Sequence, residues 1–300
     1  MFKKILIATD LSESSDAVID CMEDFKTLGV EEVILFYACG VAHNDTLAEF
    51  TKNFYEPYLL KQKEIIEDQG FVTTLEIVPG GAFEELQKVA KQTDISLIII
   101  GKQEVSVYNQ LLLLMGNANS EILHVHEKPL LMISTHGESE GGIKKIGCLC
   151  KSLKERILFA TDFSDISMQA FRYVEKLVED GCKKVTLFHV HDKVKKWFTD
   201  SAKLEEFNRI DTERLEARRQ ILLDRGAEEV EIKILVGTPS VEILKESKND
   251  YSLIVMGSQG RGFLQEIFIG SVSQNVARKS KVSLLLIPPV DRKIITLYNS

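Results

Sequence analysis

Residues 156–164 read RILFATDFS, and residues 4–12 read KILIATDLS. Each is a short apolar run, rich in β-formers, that ends on Thr-Asp and passes into a serine, Ser164 or Ser12. The Asp and Ser side chains there can accept the free amides of a first helical turn, so each stretch reads as a buried strand feeding a helix. The offset of 152 between them also pairs Gly29 with Gly181, and VILFYA at 33–38 with VTLFHV at 185–190. Farther on the offset becomes 156, pairing SLIIIG at 96–101 with SLIVMG at 252–257. It then becomes 154, pairing Gly116 with Gly270 and LLMI at 130–133 with LLLI at 284–287. Offsets that change only between strands are what duplication followed by loop drift leaves. A repeat of this length marks two domains rather than a solenoid, whose units are much shorter.

Both copies carry the same order of elements. After the first strand comes an amphipathic helix, with Ala170, Tyr173, Val174, Leu177 and Val178 at helical spacing in the second copy. A second apolar strand, a long charged helix (about 45–69 and 203–225), and a third strand ending at glycine follow. A short helix, a wholly apolar fourth strand, a last helix and a fifth strand close the unit. Continuous apolar strands alternating with helices predict an α/β fold with a parallel sheet covered on both faces. The expected organisation is a domain at 1–134, a linker at 135–154, a second domain at 155–290 and a tail at 291–300. The linker is read from Gly137, Gly141, Gly142 and Gly147 standing among charges.

Composition excludes several function classes. With 44% hydrophobic and 27% charged residues, the chain can bury an ordinary globular core. A net charge of -8 argues against a nucleic-acid surface, which concentrates Lys and Arg. The cluster of Lys193, Lys195 and Lys196 is flanked by acids and reads as a solvated face. No apolar run approaches the roughly 20 residues that span a bilayer, and the opening MFKKILIATD reads as a first strand rather than a signal peptide. Five scattered cysteines suit a reducing cytoplasm, and Cys148 and Cys150 have no second pair with which to hold a metal.

The chemistry is expected after the fourth strand of the second copy, where Gly257-Ser-Gln-Gly260 is followed by nine residues and then Gly270-Ser271. Glycines at a strand end let backbone approach phosphates closely and tolerate positive φ. Gly270-Ser271 then opens a helix whose N-terminal amides favour an anion. The place is the carboxyl end of the strands, where open α/β sheets bind ligands. His189 and His191 stand two apart at the end of a strand and can share one face toward a metal, but no third ligand is visible.

The motif Gly-x2-Gly-x9-Gly-Ser, with the opening ILFATDFS and the strand ending LFHVHD, resembles the ATP-binding members of the universal stress protein family. The resemblance covers both copies. It implies two tandem five-stranded parallel-sheet sandwich domains of the Rossmann-like, adenine nucleotide alpha hydrolase-like kind. It also implies ATP or AMP as ligand, with Mg²⁺ as a candidate companion. Carried over, Ala160 and Asp162 would line the nucleoside pocket, and Val190 would offer its backbone to adenine. Met256 and Gly257 would pack by the sugar. Gly260, Gly270, Ser271 and Val272 would hold phosphates, with Gln259 and Arg261 on the loop between them.

The first copy departs from this pattern. Gly101 is kept, but Glu104 replaces the second glycine, eleven residues lead on to Gly116, and Asn117 replaces Ser. A carboxylate facing phosphates would repel them, so one competent site per chain is expected. The apolar spacer VSVYNQLLLLM before Gly116 suits a partner surface. Family members commonly pair through the last strand, which implies an intrachain pseudo-dimer through 130–133 and 282–287, with a homodimer of chains as a further expectation. No Walker-type lysine is present. The expected function is therefore non-enzymatic adenine-nucleotide binding in a stress response. A slow ATPase on the same site, or a partner-binding protein with a relic pocket, stays open.

Overall fold

The computed structural model describes residues 1–40, 45–102, 128–140, 143–148, 153–192, 201–260 and 270–289. The chain divides into two compact units, Met1–Lys151 and Ser152–Ser300.

In the second unit the strands are β7 (Arg156–Thr161), β8 (Lys184–Asp192), β9 (Glu229–Gly237), β10 (Leu253–Gly257) and β11 (Ser283–Ile287). Their spatial order is β9-β8-β7-β10-β11, and every neighbouring pair is parallel. The helices are α4 (Asp165–Glu179), α5 (Ser201–Asp224), α6 (Pro239–Glu246) and α7 (Ser271–Lys279). All five residues of β10 and of β11 are buried, as the continuous apolar runs predict for a sheet covered on both faces. Each such Ile, Leu or Val contributes about 1.5–3 kcal/mol on burial, so these strands form a rigid floor. The chain runs from β7 outward to β9, then returns to the other side of β7 with β10. That reversal opens a crevice beyond the carboxyl ends of β7 and β10.

The first unit repeats the plan. β1 (Lys4–Ala8), β2 (Glu32–Ala38), β3 (Val72–Val78), β4 (Leu97–Lys102) and β5 (Leu130–Glu140) lie in the order β3-β2-β1-β4-β5, all parallel. Its described helices are α1 (Glu13–Asp20), α2 (Asp45–Asp68) and α3 (Ala82–Gln92), with a 3₁₀ stretch at Met22–Leu28. The fold class read from the sequence is therefore found in both units.

The segment read as a linker contains strand structure. β5 continues to Glu140, and β6 (Ile143–Cys148) pairs with it antiparallel, from Thr135↔Cys148 to Glu140↔Ile143. The ladder is a backbone property, so glycines and charges do not preclude it. The sequence does carry its signal, a Gly141-Gly142 dipeptide between the two runs. Among the described residues, no helix is long and apolar enough to cross a membrane.

Candidate functional site

The crevice of the second unit is a cleft of about 590 Å³, within the usual range for small-molecule sites. Its walls begin with the turn after β7. Phe163 has φ 60°, a left-handed conformation that costs a non-glycine residue roughly 1–2 kcal/mol. Side chains of the same turn hold it there. The Phe163 amide donates to Thr161 Oγ1 at 3.1 Å. Asp162 Oδ1 accepts the Ser164 amide at 3.0 Å and the Ser164 hydroxyl at 2.6 Å. Ser164 Oγ accepts the Ser167 amide at 3.2 Å and so caps α4. The first unit builds the same turn, with Leu11 at φ 59°, its amide on Thr9 Oγ1 at 3.1 Å, and the Ser12 amide on Asp10 Oδ1 at 3.1 Å. The turn is thus a property of the fold in both copies and does not by itself distinguish them.

Glycines set how closely the loop after β10 approaches this turn. A β-carbon at Gly260 would stand 2.7 Å from Asp162 Oδ2, and one at Gly257 would stand 2.8 Å from Ile166 Cγ2. Neither glycine has positive φ, so crowding rather than backbone conformation demands them. Gly270 is different again, since a β-carbon there would make only ordinary contact, nearest to Ser273 Oγ at 3.4 Å.

Gly270 is the N-cap of α7 and offers no side-chain cap. The Gly270 amide donates to Ser258 O at 2.8 Å. The buried Ser273 hydroxyl reaches Ser258 O at 2.5 Å and Gly270 O at 3.0 Å. These bonds fix the helix start against the end of β10. The amides of Ser271 and Val272 are left in the first turn, without a side-chain cap, where an anion is favoured.

The other wall is β8, which runs past the end of β7. Its pairing with β7 stops at Thr161↔His189, whereas its pairing with β9 continues to Asp192↔Gly237. The edge of Val190 on the β7 side therefore has no strand beside it. Ala160, Phe188, Val190, Ile243 and Met256 supply apolar surface to the cleft.

Of the residues singled out in the sequence, Ala160, Asp162, Val190, Met256, Gly257, Gln259, Gly260, Gly270, Ser271 and Val272 all line this one cleft. Arg261 lies outside the described residues. So do Glu104, Gly116 and Asn117 of the first copy, its apolar spacer, Lys193, Lys195, Lys196 and Cys150. Sequence reasoning missed Asp211 and Ser273, which also line the cleft. Asp211 comes from the long helix α5, far along the chain from the strands it faces. Ser273 stands one helical turn from Gly270 and is the position from which a hydroxyl can bond back to the cap carbonyl.

The universal stress protein family model matches residues 1–134 and 154–288. Universal stress protein MJ0577 of Methanocaldococcus jannaschii is 33% identical over 156 residues, covering 44% of this chain and 95% of that protein. Universal stress protein MJ0531 of the same organism is 28% identical over 150 residues, covering 46% of this chain and 84% of that protein. The crystal structure of a universal stress protein from Archaeoglobus fulgidus shares the fold, with a TM-score of 0.69 over 95% of this chain and 98% of that one, at 24% identity.

Proposed function

The chain belongs to the universal stress protein family, with two tandem family segments, and we propose that its second copy binds an adenine nucleotide without turning it over. ATP or AMP is the ligand, with Mg²⁺ as companion to a triphosphate, and the bound state serves a stress response. The observation that carries this reading is the meeting of Gly260 with Asp162 in the cleft that also receives the uncapped start of α7. An apolar wall (Ala160, Val190, Met256) suits a base. The carboxylate of Asp162 suits ribose hydroxyls or a cation. The amides of Ser271 and Val272 suit phosphate oxygens.

A binding role is favoured over catalysis by the way Asp162 is used. Its Oδ1 accepts the Ser164 amide and hydroxyl, which holds the carboxylate as a fixed acceptor for ribose hydroxyls or a cation.

The test uses the full chain. Protein purified without added nucleotide is denatured, and the released nucleotide is identified and counted. One adenine nucleotide per chain is expected, and Gly260→Glu, which copies the Glu104 of the first copy, should lose it. Two nucleotides per chain, or unchanged binding in Gly260→Glu, would overturn the reading. Multiple-turnover phosphate release that disappears in Asp162→Ala would replace it with an enzyme.

A further inference from the structure

We propose that His189, His191 and Asp211 form a binding site for a divalent transition ion of the zinc class, in the wall of the same cleft. The ligand atoms of these three side chains all lie within 4.8 Å of one another, and all three residues are buried. Among the described residues no second such group occurs.

Each ligand is placed by an identifiable cause. His189 and His191 are two apart on β8, so the pleat sends both rings to one face, where they meet edge to face with centroids 4.8 Å apart. His189 Nδ1 lies 2.8 Å from Thr161 O. A carbonyl only accepts, so Nδ1 carries the proton, and in the neutral ring Nε2 presents its lone pair toward Asp211. Metal-ligating histidines are oriented by this kind of backbone bond. Asp211 is oriented from its other side. Its Oδ1 accepts from Arg214 at 3.0 Å, which leaves Oδ2 to face both rings.

Distances decide between an ion and a direct hydrogen bond. Asp211 Oδ2 stands 3.5 Å from His189 Nε2 and 3.9 Å from His191 Nε2. A charge-assisted imidazolium–carboxylate bond closes to about 2.7–2.9 Å. Ligand atoms around a tetrahedral ion with bonds of about 2.0–2.2 Å are separated by roughly 3.3–3.6 Å. The 3.5 Å pair has the spacing of the second case, and the 3.9 Å pair stands wider than either, so the three groups must draw together by a few tenths of an ångström or more around an ion. Two imidazoles and one carboxylate are a donor set for zinc and its neighbours in the first transition row rather than for magnesium or calcium. Three protein ligands leave a further coordination position, and all three residues line the cleft. At the offset of 152, the first copy carries Tyr37 and Cys39 in place of the two histidines, and the Tyr37 ring packs on Tyr55 at 5.3 Å. The site is therefore expected once per chain.

The experiment is a Zn²⁺ titration of the untagged, chelator-treated full chain, stripped of any co-purified nucleotide, followed by Co²⁺ substitution. One Zn²⁺ per chain is expected, and Co²⁺ should give the intense visible bands of a four-coordinate ion. His191→Gln and Asp211→Asn should each weaken Zn²⁺ affinity at least 100-fold while circular dichroism stays that of the wild type. Cys39→Ala should change nothing. Because Asp211 is buried and its variant can fail to fold, X-ray absorption of the Zn²⁺-loaded wild type gives a second reading, with nitrogen and oxygen neighbours and no sulfur. Failure to bind Zn²⁺ above background, unchanged affinity in folded His191→Gln, or a sulfur neighbour would overturn the proposal. Because nucleotide is absent throughout, none of these outcomes depends on the nucleotide reading.

Discussion

The carboxylate of Asp162 lies so close to the backbone of Gly260 that a β-carbon on residue 260 would stand 2.7 Å from Asp162 Oδ2. Two segments about a hundred residues apart in sequence are thereby brought together at the mouth of one cleft. Asp162 cannot simply retreat, because its other oxygen holds the Ser164 amide and hydroxyl. Gly260→Ala should therefore turn the carboxylate and disturb the β7 turn. The expected outcome is at least a tenfold rise in the dissociation constant for a labelled adenine nucleotide, which is about 1.4 kcal/mol. The fold should lose only about 1 kcal/mol, since no left-handed backbone is involved. Fluorescence titration and a urea melt of the same variant check the two numbers together.

Gly101 shows that the first glycine of the motif serves the fold. A β-carbon there would meet Ser14 O at 2.9 Å and Ser14 C at 3.1 Å. Both atoms belong to the backbone of α1, which cannot give way as a flexible side chain can. Gly101→Ala should lower the stability of the first unit by about 1–3 kcal/mol, as overpacking does. Nucleotide affinity should stay unchanged, because the cleft is built in the second unit. Limited proteolysis localises the loss, and the same titration reads the affinity.

The contrast explains what a single sequence could disclose. The duplication, the parallel sheets and the TDFS and TDLS turns are legible because continuous apolar runs and side-chain caps are local signals. Gly101 and Gly257 are equally visible, yet their reason is not, since crowding against Ser14 or Ile166 comes from a helix docked across space. The β5–β6 arm carries a turn signal in Gly141-Gly142, but the charges around it read equally as a loop. Asp211 is hidden because helix α5 carries many acids, and only the fold turns this one onto His189 and His191.

Ser273 ties the start of α7 to the strand that precedes it. Its buried hydroxyl bonds to the Ser258 and Gly270 carbonyls. Ser273→Ala leaves the Ser258 carbonyl its bond from the Gly270 amide but loosens the turn that aims the Ser271 and Val272 amides. A stability loss of about 1–2 kcal/mol is expected, together with a several-fold weaker affinity for phosphate-bearing nucleotides. Affinity for adenosine, which has no phosphate, should hold. Competition titrations with ATP and adenosine separate the two effects.

The thiol of Cys182 makes stability fall in alkali. Cys182 is fully buried after α4 and donates to Lys184 O at 3.5 Å. Burial pushes its pKa from 9.0 up to about 11. Folding therefore favours the protonated thiol, and this contribution is complete below pH 9, where folded and unfolded chains are both protonated. Between pH 9 and pH 11 the unfolded chain loses its proton first, so the native state binds more protons and stability drops with rising pH. The slope is about 1.4 kcal/mol per pH unit for one group. Tyr37, pushed up to about 12 chiefly by burial, adds a similar loss at higher pH. Cys182→Ala removes only the thiol's share, while Tyr37 and the lysines titrate in both proteins and cancel in the comparison. The stability gap between wild type and Cys182→Ala should therefore be constant up to pH 9 and narrow steadily from pH 9 to pH 11. Urea melts of both proteins at half-unit steps measure that gap, and a gap that stays constant through pH 11 would refute the buried-thiol argument.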